Sequence, residues 1–505
     1  MAAILAVALR LSFLPYLPIP DPKVHDEYSY LLGGDTFASG RLSNPVHPMW
    51  VHFETIHVNQ QPTYATKYPP GQSLFLALGQ KAFGHPWYGV LLSVGLMCAC
   101  ICWMLQGWLP PSYALFGTLL AVFQFGVAGY WINSYWGGAV PAAGGALVLG
   151  AVPRLIRKPG MSASLFGSLG IALLANTRPY EGLIVTLASG VGLVWGRMSH
   201  HRPWRHLLRA RVIVPAALVL CSMFVWMGYY DYRVTGKPWV TPYLVNDTTY
   251  VTSPHFWLVS RTAHPTYRHE ILRKFWEEWD VAEYQKARAN PLRMVAKFIY
   301  VLFSTYTPLL LVAAVFSVIL APTRKVRLAL GIAGALALGL FLLPWLSPHY
   351  YSPVTGLILY LGCTGVRSLV HRLPKRTMVR RLTAAGFAGA FSCAFALQIF
   401  NSVCNGSELR NDQRRLVTQS LIREGSRHVV IVRYSPEHDV HTEWVYNSAD
   451  IDASTIVWAR DMGDARNAGL IHYYSDRKVW LLEPDFVPPR LSPYPVVLAQ
   501  STIEQ

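Results

Sequence analysis

The sequence predicts an α-helical polytopic membrane protein with about 11 transmembrane helices and a small external α/β domain at its C-terminus. Three observations predict this class. Of the 505 residues, 52% are hydrophobic and only 14% are charged, whereas soluble chains carry roughly 25% charged residues. Long apolar stretches recur as far as residue 400. Beyond Asn401 the hydropathy falls, and short apolar runs alternate with helical segments.

The apolar stretches are close to the length that a helix needs to cross a bilayer, roughly 20 residues. We identify eleven: 3–19, 87–106, 112–129, 136–153, 163–176, 181–196, 212–229, 295–320, 328–346, 351–366 and 382–400. We expect residues 1–400 to form the transmembrane part, with long loops at 21–86 and 231–291. Residues 402–505 are expected to form the α/β domain.

The distribution of charge predicts the orientation of these helices. The formal net charge is +17. Seventeen Lys and Arg residues and no acidic residue lie in four loops, 154–158, 197–211, 324–327 and 367–381. The positive-inside rule makes these loops cytoplasmic. The N-terminus is then cytoplasmic, while both long loops and the C-terminal domain are external, periplasmic in a bacterial inner membrane. The positive charge therefore gives no reason to expect a nucleic-acid partner.

The first external loop begins with chemistry that is unusual next to a membrane. Asp26 and Glu27 follow the first span directly, and ionisable groups at such a depth are functional candidates. Further on, the loop contains Ala38-Ser39-Gly40 and then Lys67-Tyr68-Pro69-Pro70 before a short apolar helix.

This combination of motifs resembles the GT-C superfamily of polytopic glycosyltransferases. The similarity is to the bacterial relatives of protein O-mannosyltransferases and of lipid A aminoarabinose transferases. It is clearest over the first hundred residues and extends to the topology. The resemblance implies transfer of a sugar from a polyprenyl-phosphate donor to an envelope acceptor, with Asp26 as the base. The competing interpretation is that Asp26 or Glu27 only caps a helix or pairs with Arg41 or Lys67.

The chemistry of such a transfer indicates which side chains to seek. The acceptor hydroxyl needs a base, and the departing phosphate needs cations. Asp26 is the candidate base, and Glu27 is the second candidate or a group that orients Asp26. If only one carboxylate is used, the transfer inverts the configuration of the sugar.

Candidates for binding the lipid phosphate lie in three external segments. They are Lys67 and Tyr68 in the proline turn, Arg178 in a tight hairpin, and His349 and Tyr350 before the tenth span. His349 stands where the superfamily pattern resembles an Arg, so a permanent charge is replaced by a titratable one. Arg178 can also form a self-neutralising pair with Glu181.

A second group of candidates concerns the sugar and a metal ion. Asn133, Tyr135, Trp136 and Glu181 are candidates for an acceptor or sugar wall, although Trp and Tyr at an interface often form only an aromatic belt. No cofactor is certain, but His25, His52 and Glu54 form a possible divalent metal site.

The second long loop and the C-terminal domain are the other two external segments. A helix at about 267–289 with aromatic residues among charges is expected to lie at the interface, as a lid or as packing for the first loop. The ligand of the α/β domain is not identified by its sequence.

A membrane transporter is one rival function, with Arg178, Glu181 and His349 in its pathway. An envelope protein that handles lipid or assembles partners is the other.

Overall fold

The protein is described here from a computed structural model, which describes residues 1–261, 265–374, 378–405 and 412–495. The helices in the first half of the chain are α1 Ala2–Ser12, α2 His25–Ala38, α3 Pro70–Phe83, α4 Trp87–Trp108, α5 Pro111–Gly126, α6 Ala139–Arg157, α7 Met161–Ala175, α8 Pro179–Ser199, α9 Ala210–Thr235 and α10 Pro242–Tyr250. The remaining helices are α11 Glu270–Arg273, α12 Val281–Ala289, α13 Leu292–Thr305, α14 Pro308–Leu320, α15 Arg324–Phe341, α16 Thr355–Arg372, α17 Met378–Cys404, α18 Asp412–Arg423 and α19 Asp464–Tyr473.

In the described ranges, six helical segments are long and apolar enough to cross a membrane: Trp87–Trp108, Ala139–Arg157, Pro179–Ser199, Ala210–Thr235, Pro348–Arg372 and Met378–Cys404. The chain is therefore a multi-pass membrane protein. The number of eleven spans stays a prediction, because several of the expected helices are shorter.

Two of the expected spans have a different shape in the structure. The stretch 295–320 forms α13 and α14, and the chain direction bends by 115° between these two helices. The bend lies at Pro308, and a proline disfavours helical conformation in the residue before it. The first stretch is helical only over α1, since Pro15 and Pro18 follow within the same run.

Arg10 in α1 is accommodated by the protein rather than by lipid. Its guanidinium donates hydrogen bonds to the Leu17 carbonyl at 2.8 Å and to Asn133 Oδ1 at 3.0 Å. It also lies over the Trp87 ring, 4.8 Å from its centroid. This buried cation ties α1 to the segment before α6.

The helices pack closely through small residues. A Cβ added at Gly365 in α16 would lie 1.7 Å from the Ala313 carbonyl oxygen of α14, and one at Gly145 in α6 would lie 1.9 Å from the Pro353 carbonyl oxygen. Small residues at helix contacts let backbones approach within a membrane. The close contact with Pro353 holds the segment that contains His349.

Basic residues from the predicted cytoplasmic loops gather around the turn between α4 and α5. Arg154 lies over the Trp103 ring at 4.0 Å, Lys325 donates to the Trp108 carbonyl at 2.8 Å, and Arg367 lies over Tyr113 at 6.0 Å. These loops therefore share one end of the bundle.

The C-terminal part is a small α/β unit, as predicted. Its strands are β3 His428–Val432, β4 Ile456–Arg460, β5 Lys478–Glu483 and β6 Arg490–Pro493, numbered after the short first-loop strands β1 Val58–Asn59 and β2 Ala65–Thr66. The sheet order is β4-β3-β5-β6, with β3 parallel to both neighbours and β6 antiparallel to β5. The sequence did not predict β6, because Arg490–Pro493 is short and lacks an apolar run. The division of the chain at residues 400 and 402 stays a prediction.

This α/β unit packs on the first long loop. Tyr446 stacks on Tyr28 of α2 with ring centroids 4.5 Å apart. His47 lies 3.0 Å from the Asp452 carboxylate, and Arg460 donates to the Glu54 carbonyl at 2.6 Å. The C-terminal unit therefore buttresses the loop that contains Asp26.

Candidate active site

One cavity of about 610 Å³ lies between the first loop, the α7–α8 turn, the second long loop and the segment before α16. Its volume is in the range of small-molecule sites. Nine of the residues singled out from the sequence line it: His25, Asp26, Lys67, Tyr68, Trp136, Arg178, Glu181, His349 and Tyr350. Five others lie outside its lining: Glu27, His52, Glu54, Asn133 and Tyr135.

Asp26 lies in the first turn of α2, where the helix dipole favours a negative charge. Tyr68 donates its hydroxyl hydrogen to Asp26 Oδ1. Asp26 Oδ2 is 3.0 Å from His25 Nδ1 and 3.8 Å from His57 Nε2. The Asp26 side chain is 26% exposed, so a substrate can reach it.

These neighbours decide the charge of Asp26. Burial alone would raise the pKa of its carboxyl, but His57, His25 and the Tyr68 hydroxyl together bring the pKa well below its usual range. Burial also lowers the pKa of His57 well below its usual range. Asp26 is therefore an ionised carboxylate at neutral pH, held by hydrogen-bond donors.

His57 was not predicted as part of the site. Its backbone has φ 64°, a left-handed conformation that is uncommon for residues other than glycine. Hydrogen bonds from the Ser29 hydroxyl at 2.7 Å and the Lys67 amide at 3.2 Å to the His57 carbonyl hold it there. Such strained residues cluster at functional sites. The histidine-rich run 47–57 is one signal for His57, but it does not show which of its histidines faces Asp26.

Glu27 has a structural position rather than one in the cavity. Its carboxylate accepts hydrogen bonds from the backbone amides of Lys23 at 2.8 Å, Val24 at 3.3 Å and Tyr135 at 2.8 Å. It therefore completes the N-terminus of α2 and fastens it to the segment before α6. Of the two roles expected for Glu27, this arrangement fits the orienting one.

Lys67 is a buried cation surrounded by aromatic rings. Its Nζ lies 5.3, 4.9 and 5.5 Å from the ring centroids of Tyr68, Tyr243 and Trp276. Burial lowers its pKa, while Asp247, Asp26 and Asp280 oppose that shift. Within the described part of the chain, no carboxylate lies within ion-pair distance of Nζ. An anion in the cavity can therefore take Lys67 as its partner.

Arg178 ends the α7–α8 turn and lies directly before α8. Its guanidinium is over the Tyr350 ring at 4.7 Å. Its Nη1 is 3.8 Å from Glu181 Oε1, which is too long for a hydrogen bond. The ion pair of Arg178 and Glu181 that the sequence predicted is therefore present, but without a hydrogen bond between the two side chains. The guanidinium group can thus still donate hydrogen bonds to a ligand.

The residues predicted as a sugar wall separate in the structure. Trp136 lines the cavity and packs edge-on against His349, with ring centroids 5.0 Å apart. Asn133 instead holds Arg10, and the Tyr135 hydroxyl donates to the Pro20 carbonyl at 2.9 Å. The last two residues are therefore bonded within the protein and face away from the cavity.

The candidate metal ligands also regroup. Glu54 is bonded to Arg268 at 3.1 Å and to the Tyr250 hydroxyl at 2.8 Å, away from His25. The structure groups His25 with Asp26 and His57, whose ligand atoms all lie within 4.8 Å of one another. Nitrogen and carboxylate ligands of this kind suit Zn²⁺.

The second loop and the C-terminal unit add side chains that sequence reasoning did not assign to the site. The predicted helix at 267–289 is α11, a π-helical turn Lys274–Asp280, and α12. Phe275, Trp276, Trp279 and Asp280 of this turn line the cavity, as does His441 of the C-terminal unit. The His441 ring is 4.8 Å from Trp279 and 5.7 Å from His25.

No protein-family model matches the sequence, and no curated protein matches it. Solved structures do resemble it. ArnT from Cupriavidus metallidurans in its apo state superposes with a TM-score of 0.50 and 14% identity, over 95% of this chain and 92% of ArnT. ArnT bound to undecaprenyl phosphate gives 0.50 and 12% over the same shares. The oligosaccharyltransferase AglB from Archaeoglobus fulgidus gives a TM-score of 0.41 and 10% identity, over 95% of this chain and 68% of AglB.

At these identities the likeness to ArnT concerns the fold. The chain shares the fold of ArnT over 95% of its length, which agrees with the fold that the sequence resemblance implied.

Proposed function

We propose that this chain is a membrane glycosyltransferase, which moves a sugar from a polyprenyl-phosphate donor to an envelope acceptor. The observation that carries the proposal is that an ionised carboxylate, Asp26, and two cations, Lys67 and Arg178, line one cavity. This is the set of charges that the transfer requires. The shared fold with ArnT, which binds undecaprenyl phosphate in one of its crystal structures, supports a polyprenyl phosphate as the lipid.

The proposed reaction is a single displacement. The acceptor oxygen attacks the anomeric carbon, and its proton passes to the Asp26 carboxylate. The bond between that carbon and the phosphate oxygen breaks, and the electron pair leaves with the polyprenyl phosphate. Lys67 and Arg178 stabilise the negative charge that develops on the phosphate. Attack opposite the leaving group inverts the anomeric configuration. Transfer of a hexosyl group and transfer of a pentosyl group are equally compatible with this scheme.

The proposed orientation places this chemistry at the periplasmic face of a bacterial inner membrane. The basic loops gather at one end of the bundle around Trp108, whereas Asp26, Lys67 and Arg178 lie in the loops of the other end. With the positive-inside rule, this arrangement supports a cytoplasmic N-terminus and an external C-terminal unit.

A second candidate role of His25, Asp26 and His57 is to bind a divalent metal ion. His25, Asp26 and His57 form a cluster of potential ligands, and His25 Nε2 and His57 Nδ1 are buried and have no hydrogen-bond partner among the described residues. A bound ion would polarise the acceptor hydroxyl and Asp26 would be its ligand. We favour the base, because His25 Nδ1 is already engaged with Asp26 Oδ2 and Tyr68 with Oδ1, while each oxygen keeps a second lone pair that can accept the proton of the acceptor hydroxyl.

The test uses the purified full-length chain in lipid vesicles with radiolabelled undecaprenyl-phosphoryl sugars and crude envelope acceptors. We expect label in the acceptor with the wild type and not with Asp26→Asn. Asp476→Asn, an exposed carboxylate of the C-terminal unit, is the matched control and is expected to behave as wild type. Label that crosses the vesicle membrane without reaching an acceptor would instead identify a transporter.

A further inference from the structure

The second long loop presents a polar and aromatic surface to the cavity that the proposed chemistry does not use. Its central element is the π-helical turn Lys274–Asp280. Such turns are rare and occur frequently at functional sites. The wider turn directs Trp276, Trp279 and Asp280 towards the same cavity.

Three polar atoms on this surface have no partner within the described part of the chain. Asp280 Oδ2 and Trp276 Nε1 are buried and have no hydrogen bond among the described residues, and the same holds for Asp247 Oδ1. Asp280 is only 2% exposed. A buried polar atom without a hydrogen-bond partner destabilises the folded protein, so a ligand that satisfies these atoms would be favoured.

The surface lies next to the cation that is proposed to hold the phosphate. The Trp276 ring is 5.5 Å from Lys67 Nζ, and the Tyr243 ring on α10 is 4.9 Å from it. Asp247 of α10 is bonded to His255 at 2.5 Å. The group that is attached to a phosphate on Lys67 would therefore meet Trp276 and the two carboxylates directly.

The chemistry of this surface specifies its occupant. Hydrogen-bond acceptors on Asp247 and Asp280 fit a ligand rich in hydroxyl donors, and the Trp276 and Trp279 side chains, which line the cavity, fit the apolar part of a sugar ring. A polyprenyl tail would leave Asp247 Oδ1 and Asp280 Oδ2 without a hydrogen-bond donor. A sugar acid would place a third carboxylate beside two others, which is unfavourable.

We propose that Asp247, Trp276, Trp279 and Asp280 form the subsite for the sugar ring of the donor, selecting a sugar with free hydroxyls and no carboxylate. This inference rests on the proposed function, because it takes the ring to be attached to the phosphate at Lys67.

The test compares two kinds of probe on the full-length chain in nanodiscs. Undecaprenyl phosphate measures binding of the lipid phosphate alone. Undecaprenyl-phosphoryl hexose, pentose, amino sugar and uronic acid measure what each sugar adds. We expect at least one non-acidic sugar to bind more tightly than undecaprenyl phosphate, and the uronic acid to bind more weakly than the corresponding hexose.

The variants are Asp280→Leu, which removes both carboxylate oxygens and keeps a side chain branched at Cγ, and Asp280→Asn, which keeps one acceptor. For Asp280→Leu the affinity for the preferred sugar-bearing lipid should fall about tenfold, as expected for one lost hydrogen bond to a charged group. Its affinity for undecaprenyl phosphate should not change. Asp280→Asn should lie between Asp280→Leu and the wild type. Asp476→Asn is again the matched control.

Three results would overturn the subsite. These are equal loss of both kinds of probe in the Asp280 variants, no loss of either, or no gain in wild-type affinity from any sugar. In the last case binding of undecaprenyl phosphate would still support the proposed function. If the wild type binds no polyprenyl phosphate at all, the proposed function fails, and the subsite fails with it.

Discussion

The Tyr68 hydroxyl donates a hydrogen bond to the Asp26 carboxylate, although 42 positions separate the two residues in the sequence. Tyr68 directly follows Lys67, the cation proposed to bind the lipid phosphate. The proposed base and the phosphate site are thereby joined by one hydrogen bond, and the proline turn that fixes Tyr68 also positions Lys67. A change in this turn is expected to affect both binding and chemistry.

Lys67→Met should weaken binding of undecaprenyl phosphate by about 10- to 100-fold, because a charge-assisted contact in a buried site is worth roughly 1.5–3 kcal/mol. Titration of the chain in nanodiscs with undecaprenyl phosphate measures this. Lys81→Met is the matched control, since Lys81 lies in α3 and its ammonium is exposed, 3.4 Å from the Ala38 carbonyl. Equal affinities for the wild type and Lys67→Met would remove Lys67 from the phosphate site.

Asp280→Asn should stabilise the protein in a manner that depends on pH. Burial raises the pKa of Asp280 to about 7; the Ser253 hydroxyl and the charges of Lys67 and His255 only partly offset this shift, and Asp247 reinforces it. The folded protein thus binds this proton more tightly than the unfolded chain, whose Asp has a pKa of about 3.9. Stability therefore falls as the pH rises from about 4 to about 7 and levels off above that.

An amide at position 280 cannot ionise, so Asp280→Asn does not lose stability in this way as the pH rises. Its gain in unfolding temperature over the wild type should increase between pH 4.5 and pH 7.5 in scanning fluorimetry. Asp476→Asn should show no such increase. A gain that is constant across the same range would contradict the buried, protonatable state of Asp280.

Arg460→Met should destabilise the contact between the C-terminal unit and the first loop. Arg460 is paired with Glu443 at 2.6 Å, and their side chains are 4% and 0% exposed. Removing one partner of a buried pair typically costs about 3–5 kcal/mol, because the other charge stays buried. The double variant Arg460→Met/Glu443→Met should recover most of the loss.

The exposed pair of Arg427 and Asp476 gives the comparison for this effect. Their side chains are 46% and 60% exposed, and such pairs contribute about 0–1 kcal/mol. Arg427→Met should therefore lower the unfolding temperature little. A double variant at 460 and 443 as unstable as Arg460→Met would show that the lost hydrogen bond to Glu54, not the stranded charge, is responsible.

Transfer should persist after metal removal, since the base is proposed to act without an ion. The purified chain is treated with EDTA, its metal content is measured by mass spectrometry, and transfer is assayed with and without added Zn²⁺ or Mn²⁺. Activity that disappears with the metal and returns with Zn²⁺ would make His25, Asp26 and His57 ligands of a catalytic ion.

The sequence predicted the elements of the site that depend on charge and topology. Asp26, Lys67, Arg178 and His349 all lie in loops on the side opposite to the basic loops, and the structure places them in one cavity. The parallel strands β3, β4 and β5 were likewise evident, because each is a short apolar run between helical segments.

Other features of the site depend on the conformation of the folded backbone and could not be predicted from the sequence. Successive residues of a helix point about 100° apart, so Glu27 faces the protein while its neighbour Asp26 faces the cavity. The roles of His57 and Asp280 follow from a left-handed backbone conformation and from a π-helical turn. Neither has a residue pattern that distinguishes it in a single sequence.

The most direct test of the account is the rate of a single turnover by Asp26→Asn with undecaprenyl-phosphoryl sugar already bound. We predict unchanged affinity for the donor and a transfer rate lowered by a factor of about 10²–10⁴, the usual contribution of a general base. A single-turnover rate equal to that of the wild type, with the donor bound equally well, would contradict the assignment of Asp26 as the base.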